Sequence, residues 1–157
     1  MISTVPCGRL AAVALFVTAS LLAPAYGCAQ STPDLVGSWA AERYIMAAGG
    51  EHEVQGRIFF SDRDWQVLFF VVDEFGIVQR GSAEGGTYFL VGDGLVFTHL
   101  YNLSAGEAMP GLAAQELRMV SRLPADAPTE PTRLAVDGDL MTLFFPSGNR
   151  MTFRGRR

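Results

Sequence analysis

Histidines, paired carboxylates, serines and glycine-rich turns are the residues of this chain whose type and spacing could do chemistry. His99 is one of two histidines and sits in Leu95-Val96-Phe97-Thr98-His99-Leu100-Tyr101. Read with a period of two, that run puts Phe97, His99 and Tyr101 on one face of a strand. A histidine so placed could act as a pocket acid or base, or as an axial ligand to iron. The plainer expectation is a neutral imidazole with a satisfied hydrogen bond in a packed core. No second histidine, cysteine or carboxylate stands at metal-ligand spacing from it, so neither a metal nor a cofactor is expected. His52, between Glu51 and Glu53, is expected to be solvated.

The acidic pairs Asp62/Asp64 and Asp73-Glu74 fall between apolar runs, where aspartate is chosen for its local backbone hydrogen bonds. Glu107 lies in a longer loop, within reach of a barrel mouth. Ser38, Ser61 and Ser104 lack the Gly-Xaa-Ser-Xaa-Gly setting of a nucleophile elbow. Gly85-Gly86 and Gly92-Asp93-Gly94 look like phosphate loops, yet neither leads into a helix N-terminus. They read as hairpin turns. No catalytic residue is therefore assigned, and enzymatic activity is the lesser expectation.

The aromatic side chains carry the remaining signal. Trp65, Phe69, Tyr88, Phe97, Tyr101 and Phe144 are spread over four expected strands at alternating positions. They fit either a filled core or a cavity for an apolar ligand. On the second reading Trp65, Phe69, Tyr88, Phe97, His99, Tyr101 and Phe144 form the binding site. Tyr88, His99 and Tyr101 would then orient the ligand's polar end.

These residues need elements to hold them, and the chain supplies strands. Residues 1–29 read as an export signal: Arg9 in the n-region, an apolar stretch from Leu10 to Leu22, then Pro24 and small residues. The stretch is too short for a bilayer, which needs roughly 20 residues. No integral membrane span is expected, and the destination is the periplasm or the medium. Cleavage after Ala29 removes Cys7 and Cys28; the alternative is a lipoprotein anchored through Cys28. Either way the folded domain has no disulfide. The chain has no lysine and carries 12 Lys plus Arg against 16 Asp plus Glu. Without a basic stripe it is a poor partner for nucleic acid.

Residues 30–34 read as a disordered lead-in, and residues 35–157 as one domain. It opens on Leu35-Val36-Gly37-Ser38-Trp39, where Leu35, Gly37, Trp39 and Ala41 share a face. Gly37 is expected to admit a neighbouring backbone, and Trp39 to lie across the end of a core. Tyr44 to Glu53 reads as loop. Hairpins come next, around Asp62-Arg63-Asp64, Gly92-Asp93-Gly94 and Asp137-Gly138-Asp139. Arg80 to Gly85 reads as a soft stretch, Asn102 to about Gln115 as a long loop, and the proline-rich 124–131 as an exposed connection. Eight or nine short antiparallel strands result, and closing them into a barrel removes their free edges.

In this order the fragments Leu35 to Trp39, Gly56 to Phe60, Gly86-Thr87-Tyr88 with Gly92-Asp93 and Thr98-His99-Leu100, and Leu134 to Leu143 resemble the bacterial lipocalin-like domain family of the calycin superfamily. The resemblance covers most of residues 35–154. It implies an up-and-down antiparallel barrel of about eight strands, stoppered at one end by Trp39 beside Gly37. It also implies an arginine near the C-terminus packed over that indole, with Arg154 the candidate and Arg150 second. The function expected is binding or carrying a small hydrophobic ligand. The rival functions are an isomerase or cyclase that uses His99 or a tyrosine as proton carrier, and a non-catalytic envelope module that binds another protein.

Overall fold

The computed structural model describes residues 34–155. The expected signal peptide, the cleavage or lipidation site around Cys28 and most of the lead-in lie outside the described residues. The described residues form nine strands: β1 (Gly37–Ile45), β2 (Glu51–Phe60), β3 (Asp64–Val72), β4 (Val78–Val91), β5 (Gly94–Gly106), β6 (Gln115–Ser121), β7 (Thr129–Asp137), β8 (Leu140–Phe144) and β9 (Arg150–Gly155). All pairings are antiparallel. The sheet closes because β4 and β5 pair with each other as well as with the two ends of the run β3-β2-β1-β9-β8-β7. The result is a closed eight-stranded barrel with β6 as a ninth strand outside the ring.

β5 is the element that makes the barrel asymmetric. One of its edges is taken by β4 from Gly94 to Gly106. The other edge is shared: Gly94 to Thr98 pair with β7, and Tyr101 to Gly106 pair with β6. The change of partner coincides with a bulge, where Gly86 faces His99 and Gly85 faces Tyr101, leaving Leu100 unopposed. Gly86 is needed there, because a Cβ would run into the carbonyl oxygen of Thr98. Bulges of this kind bend a strand and re-aim the side chains beyond them.

Several strands are longer than their sequence suggests. β2 starts at Glu51, so the expected loop after Tyr44 shrinks to a turn closed by Met46 and Gly50. β4 runs unbroken through Arg80 to Gly85, and β5 continues to Gly106. The proline-rich connection is shorter than expected: a 3-10 turn at Pro124–Asp126 leads directly into β7. Pro131 is tolerated because of strand alternation. Leu134 N–H points to β5 through Asp93, so the nitrogen of Pro131 faces the other way, where β8 has no residue opposite it.

The core fills the end of the barrel below the bulge. Leu35, Ile58, Leu95, Phe97, Met141, Leu143 and Phe153 are essentially fully buried there. Trp39 belongs to the same cluster, with its indole N–H donating to the carbonyl of Leu35 at 2.9 Å. Two expectations about this stopper are corrected. A Cβ at Gly37 would meet nothing within 4 Å, so no close approach requires the glycine; what its position needs is a backbone with φ +129°, which other residues rarely adopt. Arg154 does not cover the indole. It pairs with Ala40, while Trp39 faces Gly155, and the indole lies against that glycine. Arg154 instead turns outward and binds Glu42 and Asp139, at 2.7 and 3.0 Å. Among the described residues, the cation–π pair is Arg133 over Phe144, at 3.6 Å on another part of the barrel.

Candidate functional site

The barrel interior above the packed core holds a cavity of about 500 Å³. Its inner part is apolar, lined by Ile58, Val67, Val71, Phe97, Leu143 and Phe153. One wall is polar, and strand alternation explains why. On β4 the period of two turns Arg80, Ser82 and Glu84 inward. Their partners on β5 are Gly106, Ser104 and Asn102. Ser104 and Asn102 also line the cavity, as do Gln115 and Arg118 of β6, Arg122 just beyond it and Glu130 of β7.

His99 is the centre of this wall. Its Nδ1 lies 3.1 Å from a Glu84 oxygen and its Nε2 lies 3.1 Å from a Glu130 oxygen. The Trp65 ring stands edge-on to it at 5.2 Å, with Phe97 behind Trp65 at 4.3 Å. Two carboxylates on the two ring nitrogens make both nitrogens donors. Hydrogen bonds donated to Glu130 and Glu84 outweigh the cost of burial and push the imidazole pKa from 6.5 up to about 9. For Glu84, burial acts to raise the carboxyl, but hydrogen bonds from His99 and Ser82 prevail and hold it below its ordinary 4.5. The neutral imidazole expected from sequence is thus replaced by an imidazolium at neutral pH. With neither nitrogen free, His99 is a positive pin joining β4, β5 and β7, not a proton acceptor or a metal ligand.

The backbone around the pin is tied in as well. His99 N–H donates to Pro128 O at 3.0 Å, and Arg122 reaches the His99 carbonyl at 3.3 Å. These contacts hold together the fork where β6 and β7 part. Arg80 uses one guanidinium nitrogen to bind the carbonyls of Glu107 and Ala113, both at 2.6 Å, which fixes the 107–114 loop over the wall. Glu107 itself is exposed and contributes its backbone rather than its carboxylate.

Of the binding residues expected from sequence, Trp65, Phe69, Phe97 and His99 line the cavity together. Three others do not. Tyr101 is turned to the outer surface by the bulge at Leu100, and its ring lies across Gly85. Tyr88 is inward but belongs to the packed end, edge-on to Phe60 with its hydroxyl donating to Ser61 O at 2.8 Å. Phe144 faces outward under Arg133; its neighbours Leu143 and Phe145 are the ones that reach the cavity. Asp73 serves its turn as expected, accepting from the N–H groups of Phe75 and Ile77. His52 is not simply solvated: its Nε2 meets Pro110 O at 3.0 Å.

Sequence reading missed Arg80, Glu84, Arg118, Arg122 and Glu130. The available signal was the alternation Arg80-Xaa-Ser82-Xaa-Glu84, a polar face at strand spacing. Among the described residues no cluster of histidine, cysteine and carboxylate side chains is arranged to hold a metal ion. Also among them, no helix is long and apolar enough to cross a membrane. Comparison with known proteins adds no name to this geometry: no family model, curated protein or solved structure matches the chain.

Proposed function

We propose that this barrel binds and carries a small, largely apolar molecule, as an exported protein of the lipocalin-like type. The observation that carries the reading is the interior itself. A space of about 500 Å³ is walled on one side by aliphatic and aromatic side chains and on the other by fixed polar groups. That combination is the usual make-up of a small-molecule site. Apolar burial, at about 25 cal/mol per Å² removed from water, supplies the affinity. The polar wall selects orientation. Titration with the neutral fluorophore N-phenyl-1-naphthylamine tests the reading. Saturable binding is expected, weakened several-fold in Val67→Trp, whose indole would occupy the space; far-UV circular dichroism checks that the variant is folded. Absence of saturable binding by the folded wild-type protein rules the reading out.

A further inference from the structure

The polar wall contains more positive charge than the protein uses. Both of its carboxylates, Glu84 and Glu130, are committed to His99, so the three groups together carry a single negative charge when the imidazole is protonated. Facing the same cavity are three guanidiniums, Arg80, Arg118 and Arg122. Among the described residues none of the three meets a carboxylate within 4.0 Å. Arg80 and Arg122 each spend one nitrogen on backbone carbonyls, and Arg118 makes no side-chain hydrogen bond to a described residue. Elsewhere among the described residues Arg43 and Arg154 find carboxylates and Arg57, Arg63, Arg133 and Arg150 do not, so what sets the three cavity arginines apart is their convergence on one hollow. The chain as a whole has a net charge of −4. Three cations without carboxylate partners thus border one hollow, Arg118 at its exposed rim and Arg80 and Arg122 half-buried, in a chain whose overall balance is negative.

We infer that this wall seats the anionic head of an amphipathic ligand, with Arg118 and Arg122 as the principal contacts and Arg80 beside them. The inference rests on the cavity reading above and narrows its ligand class. Position sets the orientation. Arg118 and Arg122 belong to β6 and its end, outside the closed ring, whereas Ile58, Leu143 and Phe153 lie within it. The head thus stays near β6 and the apolar body points towards the packed core. Guanidinium suits this task, since its planar fork can donate two parallel hydrogen bonds to a carboxylate. The native carboxylates do not compete for it, because the imidazolium between them already holds both.

Displacement of N-phenyl-1-naphthylamine by dodecanoate and by dodecanol, which share a chain and differ in head, tests the inference. Wild type is compared with Arg118→Gln/Arg122→Gln at neutral pH, the neutral fluorophore reporting the integrity of the cavity. Dodecanoate is expected to bind the wild type about tenfold more tightly than dodecanol, and to lose most of that advantage in the double variant while dodecanol is unaffected. Equal binding of the two heads, or an advantage that survives in the double variant, overturns the anionic seat and leaves the apolar cavity standing. Failure of the fluorophore and both ligands to bind wild type removes the cavity reading first, and this inference with it.

Discussion

The two halves of β5 build two different interiors on one strand. Below the bulge, Leu95 and Phe97 are 1% and 2% exposed and pack among Phe60, Trp65 and Phe153. Above it, His99, Asn102 and Ser104 border a cavity. Both halves share β4 along one edge; they differ in their other neighbour, β7 below and β6 above. Where the ring is closed by β7 the side chains fill it. Where β6 leaves the ring, the interior is hollow and lined by charge. The difference teaches that closure and capacity are separate properties of this barrel: the packed end holds the fold, and the forked end holds the space.

The most severe way to test that division is Phe97→Ala. Phe97 is fully buried against Trp65, and truncating a residue of this kind costs about 3–5 kcal/mol, including the cavity left behind. Phe69→Ala is expected to cost clearly less: both rings border the cavity, but Phe69 is only partly buried, whereas Phe97 is closed in behind by Trp65 and Phe60. Urea unfolding of the two variants measures both. Equal losses would show that the hollow end is as tightly packed as the closed one.

His99→Gln comes next and addresses the fork. A shift from 6.5 to about 9 in the imidazole corresponds to at most roughly 3 kcal/mol of charge-dependent stability. Its sign is fixed by the direction of the shift. The folded protein holds the His99 proton more tightly, so the contribution is complete below pH 6.5 and fades as pH rises through about 9. Glu84 acts in the opposite sense: its contribution is present above 4.5 and is lost as pH falls through its lower folded value. Wild-type urea midpoints should therefore decline between pH 6.5 and the alkaline side of 9. In His99→Gln the midpoint starts lower and the decline flattens. Parallel pH profiles for the two proteins would detach the imidazole from the stability of the fork.

The same division separates what could be read in the sequence from what could not. Alternation and turn residues were enough for a closed antiparallel barrel, because each inward apolar position on β3, β8 and β9 reports the same core. Trp65, Phe97 and His99 were placed on the inner face for that reason. Tyr101 was misplaced by one residue, since a bulge at Leu100 has no signature in a run of apolar and polar residues that alternates on both sides of it. The charged wall was hidden differently. Glu84 sits in a glycine-rich stretch and Glu130 among prolines, two compositions that normally mark loops, and the partner that draws each into the barrel is far away in sequence. His99 stands 15 positions from Glu84 and 31 from Glu130, and the three become neighbours only through the pairing of β4, β5 and β7. Such non-local contacts are what local pattern leaves unspecified.

At the closed end the smallest effect is expected from the residue that sequence resemblance made most prominent there. Arg154 lies on the outer face, in ion pairs with Glu42 and Asp139, and exposed pairs of this type contribute little. Gly155, one residue on, faces inward, and a Cβ at that position would come within 3.0–3.1 Å of the indole ring of Trp39. The two neighbours thus make opposite predictions. In a Trp65→Phe background, which leaves Trp39 as the single tryptophan of the chain's two, Gly155→Ala should shift the fluorescence of Trp39 and lower the urea midpoint modestly. Arg154→Gln should leave both unchanged within scatter. A spectral change in Arg154→Gln as large as that in Gly155→Ala would show that the arginine acts on the indole after all. The stopper would then be set by charge at the rim rather than by the absence of a side chain beneath the ring.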